Sequence, residues 1–235
     1  MSVKSHRPEK PEKIDSVLFD LDGTLLDTAP DLAATLNALL LAQHQQPLPL
    51  SVIRPIISEG AAGLLKLGFN INEKDPKFPH LRQQFIEYYS QHSCEQTQLF
   101  SGVDQLIHHL ETNHVAWGIV SNKSMALMIP LIDHFSLLKK AKCIVAGDTL
   151  SYSKPHPKPL LHACECIKAI PKNCVYLGDA KRDIDAANAA GMHSLIALYG
   201  YIPNKEELKS WNASAMLNTP LELIDWIEQS NQTQH

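Results

Sequence analysis

The sequence predicts an α/β fold: a parallel sheet covered by helices on both faces, with a separate helical insert after the first strand. Three observations predict it. Short apolar runs alternate along the chain with segments of helical spacing, the rhythm of a parallel sheet whose crossovers are helices. The first strand and the second are separated by far more chain than later pairs, and that excess carries helical periodicity. Every candidate chemical side chain falls at the carboxyl end of a strand, where ligands of such sheets bind.

The strands are expected at Ser16–Phe19, Val115–Val120, Cys143–Ala146, Cys174–Leu177 and Ser194–Leu198. Their continuous apolar character is what a sheet buried on both faces requires. Helical spacing covers Thr28–Leu41, Val103–Glu111, Ser124–Phe135, Pro157–Ile167 and Asp183–Ala190, the last stopped by Gly191. Met125 and Met128 read as core filler. Leu221, Ile224 and Trp226 mark a closing amphipathic helix, with a polar, frayed tail after Glu228. Inside the insert, Val52–Ile57, Ala61–Leu67 and Leu81–Tyr89 have helical spacing and are punctuated by Pro47, Pro49, Pro76 and Pro79. The expected division is a core of residues 1–27 and 99–235 and a helical cap of residues 28–98.

Composition narrows the function. The chain has 235 residues, 44% hydrophobic and 20% charged, enough to bury a full core. A net charge of −4 argues against a nucleic-acid partner. Lys4, Arg7, Lys10 and Lys13, interleaved with Pro8 and Pro11, read as a solvated tail. No apolar run reaches about 18 residues, so no membrane span is expected. The charged, proline-rich start lacks the apolar stretch of a secretory signal, which predicts a cytoplasmic protein. Cys94, Cys143, Cys164, Cys166 and Cys174 form no zinc-type pairs and read as reduced, mostly buried thiols. A monomer and a homodimer both fit.

The chemistry starts at Asp20-Leu21-Asp22-Gly23-Thr24, directly after the first strand. Carboxylates two residues apart at a strand end share a face of the sheet. Gly23 allows a sharp turn and Thr24 supplies a hydroxyl. An ionised Asp20, with an ordinary pKa of about 3.9, can attack phosphorus. Two carboxylates beside a phosphate repel it unless a cation intervenes, and Mg²⁺ suits an all-oxygen site. Taken alone, the motif is equally a strand ending in an Asp-Gly turn.

Three further pieces follow. Ser121-Asn122-Lys123 closes the second strand, where a hydroxyl and backbone N–H groups can hold phosphate oxygens. Ser153-Lys154-Pro155-His156-Pro157 follows the third and places an ammonium where it offsets charge on the attacking Asp and the phosphoryl group. Gly178-Asp179-Ala180-Lys181-Arg182-Asp183 follows the fourth. It offers Asp179 as a second metal carboxylate and, one helical turn on, Asp183 to orient it. The adjacent pair His108-His109 diverges around a helix and makes no shared site.

Together these motifs resemble the haloacid dehalogenase (HAD) superfamily, over nearly the whole chain. Within it, Leu26-Asp27-Thr28-Ala29-Pro30-Asp31-Leu32 is similar to phosphoglycolate phosphatase and its relatives. Ala116-Trp117-Gly118, Leu198-Tyr199-Gly200-Tyr201-Ile202 and the Trp211 region look closer to N-acetylmuramic acid 6-phosphate phosphatases of cell-wall recycling. The resemblance implies a Rossmann-like core with a helical cap and a Mg²⁺-dependent phosphatase acting on a small phosphorylated metabolite. It implies that Asp20 is the nucleophile and a metal ligand, and that Asp22 is the acid/base, its backbone carbonyl on the metal. Ser121, Asn122 and Lys154 would bind phosphate, Asp179 would complete the metal site, and Thr24 and Asp183 would support it.

Two features depart from the pattern: Ala180 replaces the usual Ser or Asp, and the cap loop Ser58-Glu59-Gly60-Ala61-Ala62-Gly63 has no basic residue, leaving Arg54 or Arg82 as candidates. The alternative from another class is a signalling phosphoacceptor of the receiver type, which also uses a strand-end Asp, Mg²⁺, a hydroxyl and a Lys. It lacks an equivalent of Asp22 and a long cap.

Overall fold

The structure, a computed structural model, describes residues 13–202 and 204–232. Lys4, Arg7 and Lys10 of the basic tail lie outside the described residues, and Lys13 is exposed. The central sheet is built from β1 (Ser16–Phe19), β4 (Ala116–Val120), β5 (Cys143–Val145), β6 (Cys174–Gly178), β7 (His193–Ala197) and β8 (Ala215–Leu217). Its spatial order is β5-β4-β1-β6-β7-β8, and every pairing is parallel.

Both faces of the sheet are dry, and β1 divides its residues between them by the two-residue period of a strand. Val17 and Phe19 join one buried cluster with Trp117, Ile119, Val175 and Leu177, packed under α5 (Val103–Thr112), α6 (Met125–His134) and α9 (Glu222–Gln232). Leu18 joins the opposite cluster with Val120, Tyr176, Leu160 and Ala187, under α7 (Lys158–Ile167) and α8 (Lys181–Ala189). Met128 is buried and Met125 packs at the edge of the first cluster, as core filler should.

Between β1 and β4 the chain leaves the sheet. A two-stranded antiparallel ribbon, β2 (Leu26–Asp27) with β3 (Gln98–Leu99), closes the base of the excursion. Above it stand α1 (Ala29–Ala42), α2 (Leu50–Ile53), a 3-10 turn at Arg54–Glu59, α3 (Gly60–Phe69) and α4 (Phe78–His92). They share a core of their own, with Leu36, Leu40, Ile57, Leu65, Phe85 and Tyr89 buried together and Tyr201 inserted from below.

The structure amends several sequence expectations. The ribbon and β8 were not anticipated: two-residue strands carry no readable periodicity, and β8 is an edge strand of three residues between Ser214 and Asn218 with its central Met216 exposed. The closing helix continues to Gln232 rather than fraying after Glu228. Its buried residues are Leu223 and Ile227, while Leu221 is 39% exposed. It stays helical because Asn231 brackets the backbone before β1, accepting from Ile14 N–H at 2.8 Å and donating to Ile14 O at 3.2 Å. Of the five cysteines, all free thiols, only Cys164 and Cys174 are fully buried, and Cys166 is exposed.

Candidate active site

Strand register assembles the site. In β1, Phe19 lies beside Ile119 of β4 and Leu177 of β6, so the three strands end within one residue of one another at the carboxyl edge, with Ser121 and Asp179 one position further out than Asp20. Asp20, Ser121 and Asp179 sit there, all buried. Asp20 N–H still bonds Leu177 O at 2.9 Å, so the nucleophile candidate is held by the last rung of the sheet. Gly23 turns the chain back with φ +82°, and a Cβ there would overlap the Asp179 carboxylate.

Lys154 is the hub. Its side chain is fully dry and its ammonium lies 3.0 Å from Asp20 Oδ1 and 2.7 Å from Asp183 Oδ1. It also donates to Val120 O at 2.8 Å and Tyr176 Oη at 2.7 Å. The side chain of Asn122 is committed to the loop that follows β5. Its amide brackets the backbone of Lys154, with both bonds at 2.9 Å, and so fixes the loop that carries the ammonium. Ser121 Oγ accepts weakly from Lys123 N–H at 3.3 Å.

Asp20, Asp179 and Asp183 bring carboxylate oxygens within 4.8 Å of one another. Burial pushes the Asp179 carboxyl up to about 7, helped by Asp183 and Asp20. Asp20 is also raised above the ordinary carboxylate range by burial, against the pull of Lys154, so it is not the unperturbed acid of the sequence reading. Asp179 Oδ2 accepts from Tyr201 N–H and Ser58 Oγ, both at 2.9 Å. Its Oδ1 is buried without a hydrogen-bond partner among the described residues. An orphaned carboxylate oxygen within an all-oxygen, strongly anionic cluster fits a hard divalent cation such as Mg²⁺. Asp183 Oδ2 turns back to Ala180 N–H at 2.9 Å, a bond that needs no side chain at position 180. The buried Thr24 hydroxyl has no hydrogen-bond partner among the described residues.

Asp22 stands apart from that trio. Its Oδ1 accepts from Thr28 Oγ1 at 2.6 Å and from Lys123 Nζ at 2.8 Å. Lys123 Nζ also donates to Tyr89 Oη, 3.1 Å away on α4. Burial lowers the pKa of this ammonium, but Asp22 and Tyr89 outweigh it and hold it above the ordinary lysine value.

The insert reaches the site through Tyr89 and Ser58, and Arg54 stands at its base. Arg54 pairs with Asp27 at 2.9 Å and lies over the Tyr201 ring, 5.1 Å from its centroid, whereas Arg82 is exposed. Tyr201 in turn receives Ala29 N–H at 3.0 Å and donates to Asp27 Oδ1 at 2.9 Å. Lys123, Thr28, Ser58, Tyr176 and Tyr201 were not singled out as site residues by sequence reasoning. Lys123 carried a signal as the last residue of a flagged motif, and Thr28, Ser58 and Tyr201 lay in stretches noted for the family resemblance, but none was given a role.

The sequence profile of the family described as haloacid dehalogenase-like hydrolase matches residues 17–197. A phosphoglycolate phosphatase of Xylella fastidiosa is 40% identical over 206 residues, covering 87% of this chain and 89% of its own. An N-acetylmuramic acid 6-phosphate phosphatase of Pseudomonas aeruginosa is 32% identical over 218 residues, covering 93% and 96%. The crystal structure of a predicted phosphoglycolate phosphatase from Haemophilus somnus superposes with a TM-score of 0.81 at 24% identity, covering 93% of this chain and 99% of that one.

Proposed function

We propose that this chain, which belongs to the haloacid dehalogenase-like hydrolases, is a phosphomonoesterase that acts on a small organic phosphate through a phosphorylated Asp20. The observation that carries the reading is the buried group of Asp20, Asp179 and Asp183 gathered around Lys154 at the carboxyl edge of the sheet. Asp20, Asp179 and the backbone carbonyl of Asp22 would hold Mg²⁺, which when bound offsets the negative charge that a phosphate brings to these carboxylates.

The Asp20 carboxylate oxygen bonds to phosphorus as the ester P–O bond breaks, and the leaving oxygen takes its proton from Asp22. Asp22, now a carboxylate, then removes a proton from water as that water's oxygen attacks phosphorus and releases Asp20. Lys154 holds Asp20 in place and neutralises charge during both transfers. Residues 28–98 serve as a cap that excludes bulk water over these steps and opens for release.

The phosphoglycolate phosphatase relatives support 2-phosphoglycolate as substrate. One observation favours N-acetylmuramic acid 6-phosphate as the second reading. The cap loop at 58–63 is without basic residues and Arg54 is already paired with Asp27, which leaves less free positive charge for a small dianion. A phosphate-release screen over 2-phosphoglycolate, N-acetylmuramic acid 6-phosphate, hexose phosphates and nucleotides decides between them. Asp20→Asn is expected to lower turnover of the preferred ester by at least about a thousandfold. A folded Asp20→Asn variant that keeps substantial activity removes Asp20 as nucleophile. A phosphoprotein that persists for minutes, with no monoester hydrolysed, would instead favour the receiver-type phosphoacceptor.

A further inference from the structure

The carboxylate of Asp22 is gripped on one oxygen only. Thr28 Oγ1 at 2.6 Å and Lys123 Nζ at 2.8 Å both donate to Oδ1, and the side chain of Asp22 stays 18% exposed. Two donors on the same oxygen fix the rotation of the carboxyl group and leave the other oxygen available for proton transfer. The side chain of Lys123 is only 8% exposed, and its remaining contact is with the insert. Its ammonium lies 3.1 Å from Tyr89 Oη and 4.7 Å from the centre of that ring, with Tyr89 fully buried in the core of the helical insert. A single ammonium therefore joins β4's end, the acid/base carboxylate and a helix of the cap.

We propose that Lys123 is a positioning residue for Asp22, and that Tyr89 makes this positioning depend on the cap being seated. The proposal rests on the phosphatase reading above, in which Asp22 protonates the leaving oxygen. With the cap in place, Tyr89 holds the Lys123 ammonium against Oδ1, and Oδ2 presents its proton toward the leaving group. With the cap lifted, Lys123 loses one of its two anchors and the carboxyl group regains rotation. Proton donation is thus confined to the closed, water-excluded state.

The test uses the dependence of rate on leaving group. Departure of p-nitrophenolate needs little proton donation, phenolate needs more, and an aliphatic alkoxide needs it most. The parameter to read is kcat/KM, which reports phosphoryl transfer to Asp20 and is blind to its later hydrolysis. With the full chain and Mg²⁺, Lys123→Met is expected to lower kcat/KM about a hundredfold on 2-phosphoglycolate, less on phenyl phosphate, and less than about threefold on p-nitrophenyl phosphate. Lys123→Arg should recover part of the loss on the alkyl ester. Tyr89→Phe, which keeps the packing, should reproduce the same ordering at about fivefold. A loss equal on all three esters, or no loss, overturns the proposal. Where the phosphate-release screen selects another alkyl ester, that ester takes the place of 2-phosphoglycolate; wild-type protein that releases phosphate from no ester of the screen overturns the underlying phosphatase reading, and this one with it.

Discussion

At Gly23 the backbone leaves no room for a side chain. Its φ of +82° disfavours any L residue, and an added methyl group would overlap the Asp179 carboxylate. Gly23→Ala is therefore expected to displace Asp179 and cost roughly 1–3 kcal/mol of stability, measured by chemical denaturation. Most of the Mg²⁺-induced rise in thermal midpoint should be lost with it. At this scale the sequence was legible wherever a residue's role is written in its neighbours. Asp20, Asp22 and Gly23 lie in one turn, and Lys154 and Asp179 each sit just beyond a strand or loop signal. It was illegible where the partner is remote. Lys123 meets an aspartate 101 positions away, and Ser58 reaches Asp179 across 121. The Asn122 amide likewise meets the Lys154 backbone 32 positions on.

Among the elements, α1 is tied to the returning strand by one carboxylate. Asp31, 2% exposed, accepts from Gln96 N–H at 2.9 Å, Thr97 N–H at 3.0 Å and Thr97 Oγ1 at 2.6 Å. These bonds anchor the insert's first helix where the chain re-enters the core at β3. Asp31→Ala is expected to destabilise the protein by about 3 kcal/mol. The check is a lowered urea midpoint, accompanied by increased cleavage of residues 28–98 in limited proteolysis. The major strands were readable because a sheet dry on both faces demands uninterrupted apolar runs. The ribbon of β2 and β3 was not, since each strand has two residues and is specified by its partner rather than by its own pattern.

For the whole molecule, the crowded carboxylates couple metal, pH and stability. Asp179 has its pKa raised from 3.8 to about 7 by burial, then by Asp183 and Asp20. The folded state therefore binds this proton more tightly than the unfolded chain does. The stability it contributes is complete below about pH 4 and is lost as pH climbs through about 7, with each pKa unit worth about 1.4 kcal/mol. In EDTA the thermal midpoint is expected to fall between about pH 5 and pH 8, and Asp179→Asn should flatten the decline. At the proposed metal site Mg²⁺ would bind the ionised form, so its apparent affinity is expected to strengthen over the same interval. At about a hundredfold excess over Kd, the ion should add about 2.7 kcal/mol.

The clasp between Asn231 and Ile14 lies at the amino edge of the sheet, on the far side of the molecule from the reacting carboxylates. Both ends of the described chain leave from that one pole. An affinity handle, a fluorophore or a solid support joined at Lys13 or Gln232 would leave from that pole, so protein immobilised there should turn over like free protein. A peptide bridging the two ends, with new ends opened at an exposed loop, offers a short route to circular permutants.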